Sequence, residues 1–437
     1  MTTAPLNVLD ELYLHLDREQ EPFSVHLEVA VEGRIDEARL REAIRVAAGR
    51  HPLARARLRP ARGTDRRYHW EIAGELDEVP LATQECADDV ALGRVRERLL
   101  STTQPLDDAP PFGVVLVHHP AGDTVLLNLR HAAGDGMSAL RLMASVLRAY
   151  AGHDDPLPPV DPLAVRDIGE IVGTRSLGAR LVRAPALLEQ AGRVTSTHAR
   201  IEPDGGGEGG GYGFELLRFG PEELTAVLAH RRDGATVNDV LLGALAVTVR
   251  AWNEQHERYP EPVRVMMPVN LRPPEWRLEV MGNYASYVTV DVGSEDGLAA
   301  AVAAAAAHTR RIKAQNVAGL VVDLLEGPTA ALPTAVKRRF QDLIGLTGNR
   351  WVDTTVLSNL GRLEPIGRLD DEAGAVRSIW FSPPGRMPLG ASFGAATYED
   401  TLFLTLRYCH ALFDAAAARA FGALLRGVLT EAPEGSR

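Results

Sequence analysis

The sequence predicts an α/β fold built from two similar halves, and three observations lead to that prediction. The chain has 437 residues, about three times the ~150 residues of one ordinary domain. Strand and helix patterns alternate along its N-terminal third. A strand–turn–helix pattern near residue 130 has a counterpart near residue 407. Together these observations favour two large domains, or one fold made of two related halves.

Composition and charge exclude several classes of protein. Apolar residues make up 45% of the chain and charged residues 24%, the balance of a globular protein rather than of a disordered chain or a coiled coil. The longest runs of apolar residues are too short to span a membrane, and the N-terminus has no signal-peptide pattern. A net charge of −11 argues against nucleic acid as a partner. The two cysteines indicate neither a disulfide framework nor a four-cysteine metal site, so we expect a cytoplasmic protein.

The first half begins with clear local signals. Residues 24–31 alternate apolar and polar side chains as a half-buried strand does. Asp36 is placed to cap a helix that runs to about Ala48, where a His-Pro pair at 51–52 ends it. Residues 124–129 form a second strand pattern, and residues 137–150 have helical periodicity.

A connector separates the predicted halves. Residues 151–163 are rich in proline, and residues 205–213 hold seven glycines in nine positions, which is typical of a flexible surface loop. After the loop, Thr236 and Asp239 form a capping-box-like start to a helix over 237–252. We therefore expect an N-terminal half at 1–160, a connector at 161–213 and a C-terminal half at 214–437.

The internal repeat is the strongest organisational signal. Residues 123–130 read DTVLLNLR and residues 400–407 read DTLFLTLR. The first segment leads to His131 and Asp135, and the second leads to His410 and Asp414, with a register difference of two residues. The pattern predicts two homologous strand–turn–helix units; the alternative is two unrelated edge hairpins that look alike.

Residues 130–136, which read RHAAGDG, are the main candidate for chemistry. A histidine at a strand end, before a helix start, is well placed for a general base because its ordinary pKa lies near neutral pH. Asp135 is placed to brace the turn by pairing with an arginine, and Gly136 permits a backbone geometry that a side chain would block. The backbone N–H groups of the helix start would face developing negative charge. The alternative is an ordinary turn with a surface histidine.

These residues and several others resemble the CoA-dependent acyltransferase superfamily. Residues 130–136 are similar to its HHxxxDG motif, and residues 40–58, with HPLA at 51–54, are similar to its first-helix signature. Three segments and one residue pair resemble the wax-synthase branch: TVNDV at 236–240, PVNLR at 268–272, LSNLG at 357–361 and Gly282-Asn283. The superfamily includes chloramphenicol acetyltransferase, the condensation domains of nonribosomal peptide synthetases, the wax ester synthase/diacylglycerol acyltransferases and the polyketide-associated acyltransferases.

The resemblance implies two chloramphenicol-acetyltransferase-like halves, each a mixed sheet flanked by helices, with the active-site tunnel between them. It implies that His131 takes a proton from an alcohol or amine acceptor, while Asp135 is structural and Arg272 is its salt-bridge partner. Ser358 or Asn359 would line the tunnel and help to hold the oxyanion; the alternative is a loop that satisfies its own backbone. The implied donor is an acyl-CoA or acyl-phosphopantetheine thioester, with no bound cofactor and no metal.

One position departs from the motif, because Arg130 stands where the superfamily has its first histidine. Neighbouring strand residues face opposite sides, so Arg130 need not point towards the substrate. Arg407 holds the matching place in the repeat, which favours a structural role. The alternative is that Arg130 grips a substrate carboxylate or a phosphate of the thioester arm.

Three other patterns imitate catalytic motifs. Residues 118–123 spell HHxxxD but precede a strand, which is typical of a hairpin turn. Residues 390–394 spell GxSxG, yet the helix that this nucleophile motif needs does not follow. The Cys409-His410 pair lies at a strand end, where adjacent side chains diverge.

Residues 34–67 form a basic segment with eleven arginines and four acids in an otherwise acidic chain. The segment would suit an acidic acyl or peptidyl carrier protein or the phosphates of CoA; the alternative is a solvated helix face. The sequence thus predicts a cytoplasmic acyltransferase that forms an ester or amide in natural-product or lipid biosynthesis. Two alternatives stay open: a condensation-like protein with altered chemistry, and a non-catalytic homologue that binds a carrier protein.

Overall fold

The computed structural model describes residues 1–432 except residue 20 and residues 108–109, 175, 194–195, 208, 259–260, 277–278, 294–296 and 340–351. Within these residues the strands are β1 Thr2–Pro5, β2 Ser24–Val31, β3 Ala56–Leu58, β4 His69–Ile72, β5 Leu81–Glu85, β6 Phe112–His118, β7 Thr124–Arg130, β8 Tyr212–Phe219, β9 Val263–Asn270, β10 Ala285–Val292, β11 Thr355–Leu363, β12 Val376–Ser382, β13 Ala391–Tyr398 and β14 Thr401–Cys409.

The helices found in the same residues are α1 Val8–Leu16, α2 Glu37–Arg50, α3 Asp89–Ser101, α4 Gly136–Ala151, α5 Ile168–Val172, α6 Leu177–Arg193, α7 Pro221–Ala229, α8 Val237–Gln255, α9 Gly297–Ala314, α10 Ala318–Leu325, α11 Thr334–Lys337 and α12 Ala415–Thr430. Short 3₁₀ turns lie at Pro52–Arg55, Pro274–Trp276 and Pro328–Ala331.

Two mixed sheets organise the chain, as the sequence predicts. The first has the order β12-β2-β7-β6-β5, antiparallel except for the parallel pair of β5 and β6. The second has the order β10-β9-β11-β13-β14-β8, and its central strand β11 runs parallel to both neighbours. A small antiparallel sheet of β1, β4 and β3 stands beside the first.

Each large sheet has its own hydrophobic core under helices. Helices α2 and α4 cover one face of the first sheet, and the core there includes Leu27, Leu127 and Ile44. Helices α8, α9 and α12 pack with the second sheet, around residues such as Leu245 and Phe421. The predicted two-part α/β architecture, with helices flanking mixed sheets, is confirmed.

The local signals predict the elements well. The Asp36 side chain accepts from the Arg39 amide at the start of α2, and Thr236 and Asp239 form the capping box of α8. The two repeat segments form β7 and β14, and each strand is followed by a turn and a helix. Asp135 and Asp414 occupy the same position, because each is the N-cap residue of the helix that follows.

Strand β12 belongs to the C-terminal half in sequence but joins the sheet of the first half. Strand β12 comes late in the chain yet pairs antiparallel with β2 at the edge of the first sheet, where Ile379 faces Val29. Strand β8 begins at Tyr212, two residues before the predicted start of the C-terminal half. The boundaries at 160 and 213 stay predictions, but β12 shows that the two halves are interleaved rather than merely adjacent.

Candidate active site

The turn between β7 and α4 brings the candidate residues together. Strand β7 ends at Arg130, and the backbone turns so that the Ala133 amide donates to the Arg130 carbonyl at 2.9 Å. Asp135 then caps α4, accepting from the Ser138 amide at 2.9 Å and from the Ser138 hydroxyl at 3.0 Å. This aspartate starts the helix because it satisfies an N–H group that has no partner inside the helix.

The structure places Arg272 directly against Asp135. The two side chains form a bidentate pair, with Nη1–Oδ2 at 2.8 Å and Nη2–Oδ1 at 2.9 Å, and both are about 1% exposed. The Tyr284 amide adds a third donor group, 3.0 Å from Oδ2. Asp135 comes from the first half of the chain, whereas Arg272 and Tyr284 come from the second, so this carboxylate ties the halves together.

Electrostatics keep Asp135 ionised. Burial alone raises the pKa of its carboxyl group, but the Arg272 guanidinium and the backbone donors of Tyr284 and Ser138 outweigh burial and hold the pKa below its usual value. Asp135 is therefore a charged, fully bonded brace and has no free oxygen to act as an acid or base.

His131 lies just before this brace and is largely buried, at 9% exposure. The Tyr13 ring lies against it with ring centroids 3.8 Å apart, and the Phe23 ring stacks on it at 5.5 Å. The His131 backbone amide also donates to the Phe23 carbonyl at 3.1 Å. Two aromatic rings from the N-terminal segment thus cover a histidine that lies more than 100 residues further along the chain.

Asn283 sets the protonation pattern of the imidazole. Its side-chain NH₂ donates to the carbonyls of His131 and Ala132 at 2.7 and 3.0 Å and to Asp10 at 3.0 Å. Because these bonds fix the amide orientation, its oxygen faces His131 Nδ1 at 3.3 Å and accepts the Nδ1 proton. Nε2 then carries the lone pair, and no side chain among the described residues is hydrogen-bonded to it.

Burial favours the neutral form of His131. Desolvation lowers the pKa of the imidazole, while a hydrogen bond to the backbone of His131 itself, the charge of Asp135 and the bond to Asn283 oppose that effect without overcoming it. A neutral imidazole with a free Nε2 is the state that a general base requires.

Gly136 is needed for space and not for an unusual backbone angle. Its φ is not among the positive values found in the described residues, so glycine is required here by the close approach of neighbouring side chains and not by a left-handed backbone. An added Cβ would lie 2.9 Å from Cζ of Phe381, on β12, and 3.3 Å from the Leu360 side chain, on β11. The glycine thus lets two strands of the second half reach the start of α4.

Ser358 and Asn359, which are neighbours on β11, differ in their hydrogen bonding. Asn359 is fully engaged, because its NH₂ donates to Asn238 at 2.7 Å and its oxygen accepts from the Gly361 amide at 2.8 Å. Ser358 makes no side-chain hydrogen bond to the described residues, and it lies two positions before Leu360, which approaches Gly136. The register of β11 is irregular between Asn359 and Arg362, so the open hydroxyl, and not strand alternation, makes Ser358 the better candidate of the two to meet a ligand.

The Arg130 side chain is buried and bonded to other residues of the protein. Its Nη2 forms an ion pair with Asp17, its Nη1 donates to the Gln104 carbonyl at 2.5 Å, and the residue is 6% exposed. Its charge is therefore already paired within the chain.

The patterns that imitate catalytic motifs have the structures that the sequence predicts. His118 bonds to Asp123 at 2.7 Å within the hairpin between β6 and β7. Ser392 lies inside β13, and its hydroxyl donates to the Pro383 carbonyl at 2.9 Å. Burial raises the pKa of the Cys409 thiol to about 12, so this thiol is not a ready nucleophile.

The basic segment is largely neutralised on the folded surface. Of its arginines, those that pair with a carboxylate in the described structure are Arg34, Arg39, Arg41, Arg45, Arg50, Arg57 and Arg59. Several partners, such as Glu85 and Asp370, come from outside the segment. A partner with phosphate groups would have to compete with these carboxylates.

One cluster has ligand types that a metal ion uses. Glu189, Asp291 and His308 bring their ligand atoms within 4.8 Å of one another. Arg311 lies 2.9 Å from Glu189, and Arg264 lies 3.1 Å from Asp291. Two guanidinium groups already balance these carboxylates, and we assign no metal to the cluster.

Two small voids, each of about 10 Å³, lie away from His131. One is lined by apolar residues such as Phe112 and Leu142 beneath α4, and the other lies beside His308. Neither is the tunnel that the resemblance implies, so the tunnel stays a prediction.

Sequence reasoning missed two residues that surround His131, Tyr13 and Phe23, and it gave Asn283 no role at the site. Tyr13 and Phe23 have no motif, and nothing local indicates that their rings meet a histidine so distant in sequence. Asn283 was noticed only as part of a resemblance, although an amide after a glycine is a signal worth testing. Gly282 itself has φ 151°, and its backbone N–H and C=O both bond to the Ser138 hydroxyl, at 2.9 and 2.7 Å.

Comparison with solved structures shows which fold this is. The chain matches the first condensation domain of the CDA synthetase with a TM-score of 0.71 at 16% identity, covering 98% of this chain and 97% of that chain. It matches the epimerization domain from the third module of tyrocidine synthetase B with a TM-score of 0.63 at 14% identity, over 98% and 97%. A cyclization-docking bidomain from Sorangium cellulosum matches with a TM-score of 0.67 at 15% identity, over 100% and 87%.

Sequence comparison gives relatives that are themselves uncharacterized. Two proteins of Mycobacterium tuberculosis, Rv2305 of strain H37Rv and MT2362 of strain CDC 1551, are each 38% identical over 98% of this chain and 99% of their own length. A comparison with models of protein families gave no match. None of the helices described for this chain is long and apolar enough to cross a membrane.

Proposed function

Because this chain belongs to one family with the uncharacterized protein Rv2305 of Mycobacterium tuberculosis and has the fold of condensation domains, we propose that it is an acyltransferase. It would move an acyl group from a thioester of CoA or of an acyl or peptidyl carrier protein to an alcohol or amine. The observation that carries this proposal is the geometry of His131, whose Nδ1 is held by Asn283 while Nε2 is free to accept a proton.

The proposed reaction needs no covalent intermediate on the protein. Nε2 of His131 takes the proton of the acceptor hydroxyl or amine as the acceptor attacks the thioester carbonyl carbon. The tetrahedral intermediate then collapses, the carbon–sulfur bond breaks, and the leaving thiolate takes the proton from the imidazolium. The products are an ester or amide and a free thiol, and His131 returns to its neutral form.

Other residues support this step without reacting. We assign Asp135 and Arg272 the role of holding the turn, and Asn283 that of holding the imidazole tautomer. Gly136 opens α4, whose first N–H groups carry the positive end of the helix dipole, a suitable environment for the oxyanion. We assign the Ser358 hydroxyl as a further oxyanion donor because it has no other bond in the described structure.

The test is thiol release from acyl-CoA donors of increasing chain length, measured with and without a panel of alcohols and amines. His131→Ala should lower nucleophile-dependent release by roughly 10²–10⁴-fold, the usual contribution of a general base. His119→Ala, in the hairpin that imitates the motif, is the matched control and should keep wild-type activity. Activity of His131→Ala within about threefold of wild type would exclude the base, and a wild type that releases no thiol would favour the non-catalytic alternative.

A further inference from the structure

We propose that Arg130 and Arg407 are positioning residues that together clamp Asp17 and residues 21–24, called the segment below, and thereby hold Phe23 against His131. The inference rests on the proposed function only in giving His131 a catalytic role. It explains why an arginine stands at the first motif position and why the repeat has an arginine in both copies.

Arg130 holds the start of the segment. Its guanidinium forms an ion pair with Asp17, the residue that ends α1, and both side chains are less than 10% exposed. The other carboxylate oxygen of Asp17 accepts from the Phe23 amide at 2.9 Å, so Asp17 is bonded both to Arg130 and to Phe23. Arg130 is therefore linked to the Phe23 backbone through one side chain, that of Asp17.

Arg407 holds the end of the segment from the other half of the molecule. Its Nη1 donates to the Ser24 carbonyl at 2.9 Å, and its Nη2 donates to the Pro22 carbonyl at 3.1 Å. These two carbonyls belong to the residues on either side of Phe23. The guanidinium is fully buried, stacks 3.8 Å from the centre of the Tyr212 ring, and has no carboxylate partner in the described structure.

Phe23 transmits this restraint to His131. Its ring stacks on the imidazole, and its carbonyl accepts from the His131 amide, so both its side chain and its backbone fix the histidine. The ring also excludes water from one side of the imidazole, and Tyr13 covers it as well. Displacing a catalytic base by 1 Å can cost about 10²-fold in rate, so the position of this loop matters for turnover.

The same contacts argue against a substrate-binding role for Arg130. Its charge is paired with Asp17, and its guanidinium also donates to the Gln104 carbonyl. A substrate carboxylate or phosphate would have to displace Asp17, which also holds the Phe23 amide.

The experiment uses the full chain and needs no substrate for its first readout. The His131 pKa is measured by NMR titration of histidine-labelled protein, with the signal assigned by its loss in His131→Ala. Asp17→Asn and Arg407→Lys loosen one end of the segment each, and Phe23→Leu removes the ring alone. In all three variants water reaches the imidazole more easily, so its pKa should rise towards the ordinary value of about 6.5.

The second readout is steady-state transfer with the acyl-CoA and acceptor that work best for wild type. The same three variants should lose about tenfold or more in kcat while both KM values stay within about twofold. Arg130→Lys, which keeps the charge that Asp17 needs, should retain more activity than Arg130→Gln.

Asp323→Asn is the matched control, since Asp323 pairs at 2.8 Å with a buried arginine, Arg183, whose other hydrogen bonds in the described structure go to the carbonyls of Ala179 and Val172. It should lower the melting temperature but leave the His131 pKa and kcat unchanged. The proposal is overturned if Asp17→Asn and Arg407→Lys behave like this control. It is also overturned if Arg130→Gln raises one KM selectively, by about tenfold, with the pKa unchanged, because that marks a substrate contact. Failure of the proposed function would be recognised separately, because His131→Ala would then keep its transfer activity.

Discussion

At the scale of single residues, the site depends on an amide that holds a histidine. Asn283 is fully buried, and its four polar contacts leave it one orientation, with the oxygen towards His131 Nδ1. A carboxylate in this place would raise the pKa of the imidazole, whereas a neutral amide fixes the tautomer and leaves the base weakly protonated at neutral pH.

Replacing Asn283 by Ala should therefore lower kcat by about tenfold or more with little change in KM, because the base loses its orientation and not its substrate. Steady-state transfer assays measure this. Asn253→Ala is the control, since Asn253 is a buried amide whose side chain is bonded, within the described part of the chain, to the backbone of Arg200 and Glu202. Equal kcat values for the two variants would remove Asn283 from the mechanism.

At the scale of elements, the start of α4 is shaped by strands from the other half. Phe381 of β12 is 2% exposed and packs where a side chain at 136 would stand. Strand β12 in turn is held by its pairing with β2. The same strand therefore forms the edge of the first sheet and limits the space at the active-site turn.

Gly136→Ala should cost about 1–3 kcal/mol of unfolding free energy, because the new methyl group overpacks against Phe381. Alanine is otherwise the better helix former, so no backbone penalty is involved. In a Phe381→Leu background the cost of Gly136→Ala should fall, and denaturant unfolding of the four proteins in this double-mutant cycle measures the coupling. An identical cost in both backgrounds would show that Phe381 is not the obstacle.

Strand β2 and helix α3 are joined by a buried ion pair that makes stability depend on pH. Arg96 grips both oxygens of Glu28, at 2.6 and 2.7 Å. Burial alone raises the pKa of Glu28, but the Arg96 charge and its hydrogen bonds lower it to about 2, from an ordinary 4.5. A depressed pKa means that the stabilisation is present above pH 4.5 and is lost as the pH falls towards 2.

The expected loss over this window is about 3 kcal/mol, at about 1.4 kcal/mol for each unit of pKa shift. Urea unfolding of wild type and Glu28→Gln at several pH values tests it. The stability difference between the two proteins should be largest near neutral pH and shrink below pH 4.5. A difference that does not change with pH would contradict the role of this ion pair.

At the scale of the whole molecule, the halves are bound through the active site itself. Asp135 is bonded to Arg272 and to the Tyr284 amide, Ser138 is bonded to Gly282, and Arg407 reaches back to the segment before β2. The turn that carries His131 is therefore also a main joint between the two sheets.

Asp135→Ala should lower the stability of the whole chain by about 3–5 kcal/mol, because it leaves the buried Arg272 charge without a partner. Differential scanning calorimetry should show one transition at a lower temperature, with a much smaller shift for His131→Ala. Equal melting temperatures for Asp135→Ala and His131→Ala, or separate transitions for the two halves, would contradict the role of Asp135 in joining the halves.

Many features of this protein can be predicted from its sequence because they depend on contacts between residues that are close along the chain. Helix α2, its Asp36 cap and the capping box of α8 depend on contacts within four residues, so their patterns are readable directly. The repeat and the motif around His131 are short segments of that kind as well. Arg272 could be paired with Asp135 only through resemblance to other proteins, because the two residues lie 137 positions apart.

Only the tertiary structure decided which distant residues meet at the site. Asn283 lies 152 positions from His131, and Arg407 lies 383 positions from Ser24, yet both contacts define the base. The placement of β12 in the first sheet and the pairing of Arg130 with Asp17 likewise depend on contacts between residues that are distant in sequence. They follow from the packing of all elements at once, because buried charges and polar groups take whichever partners the completed core brings within reach.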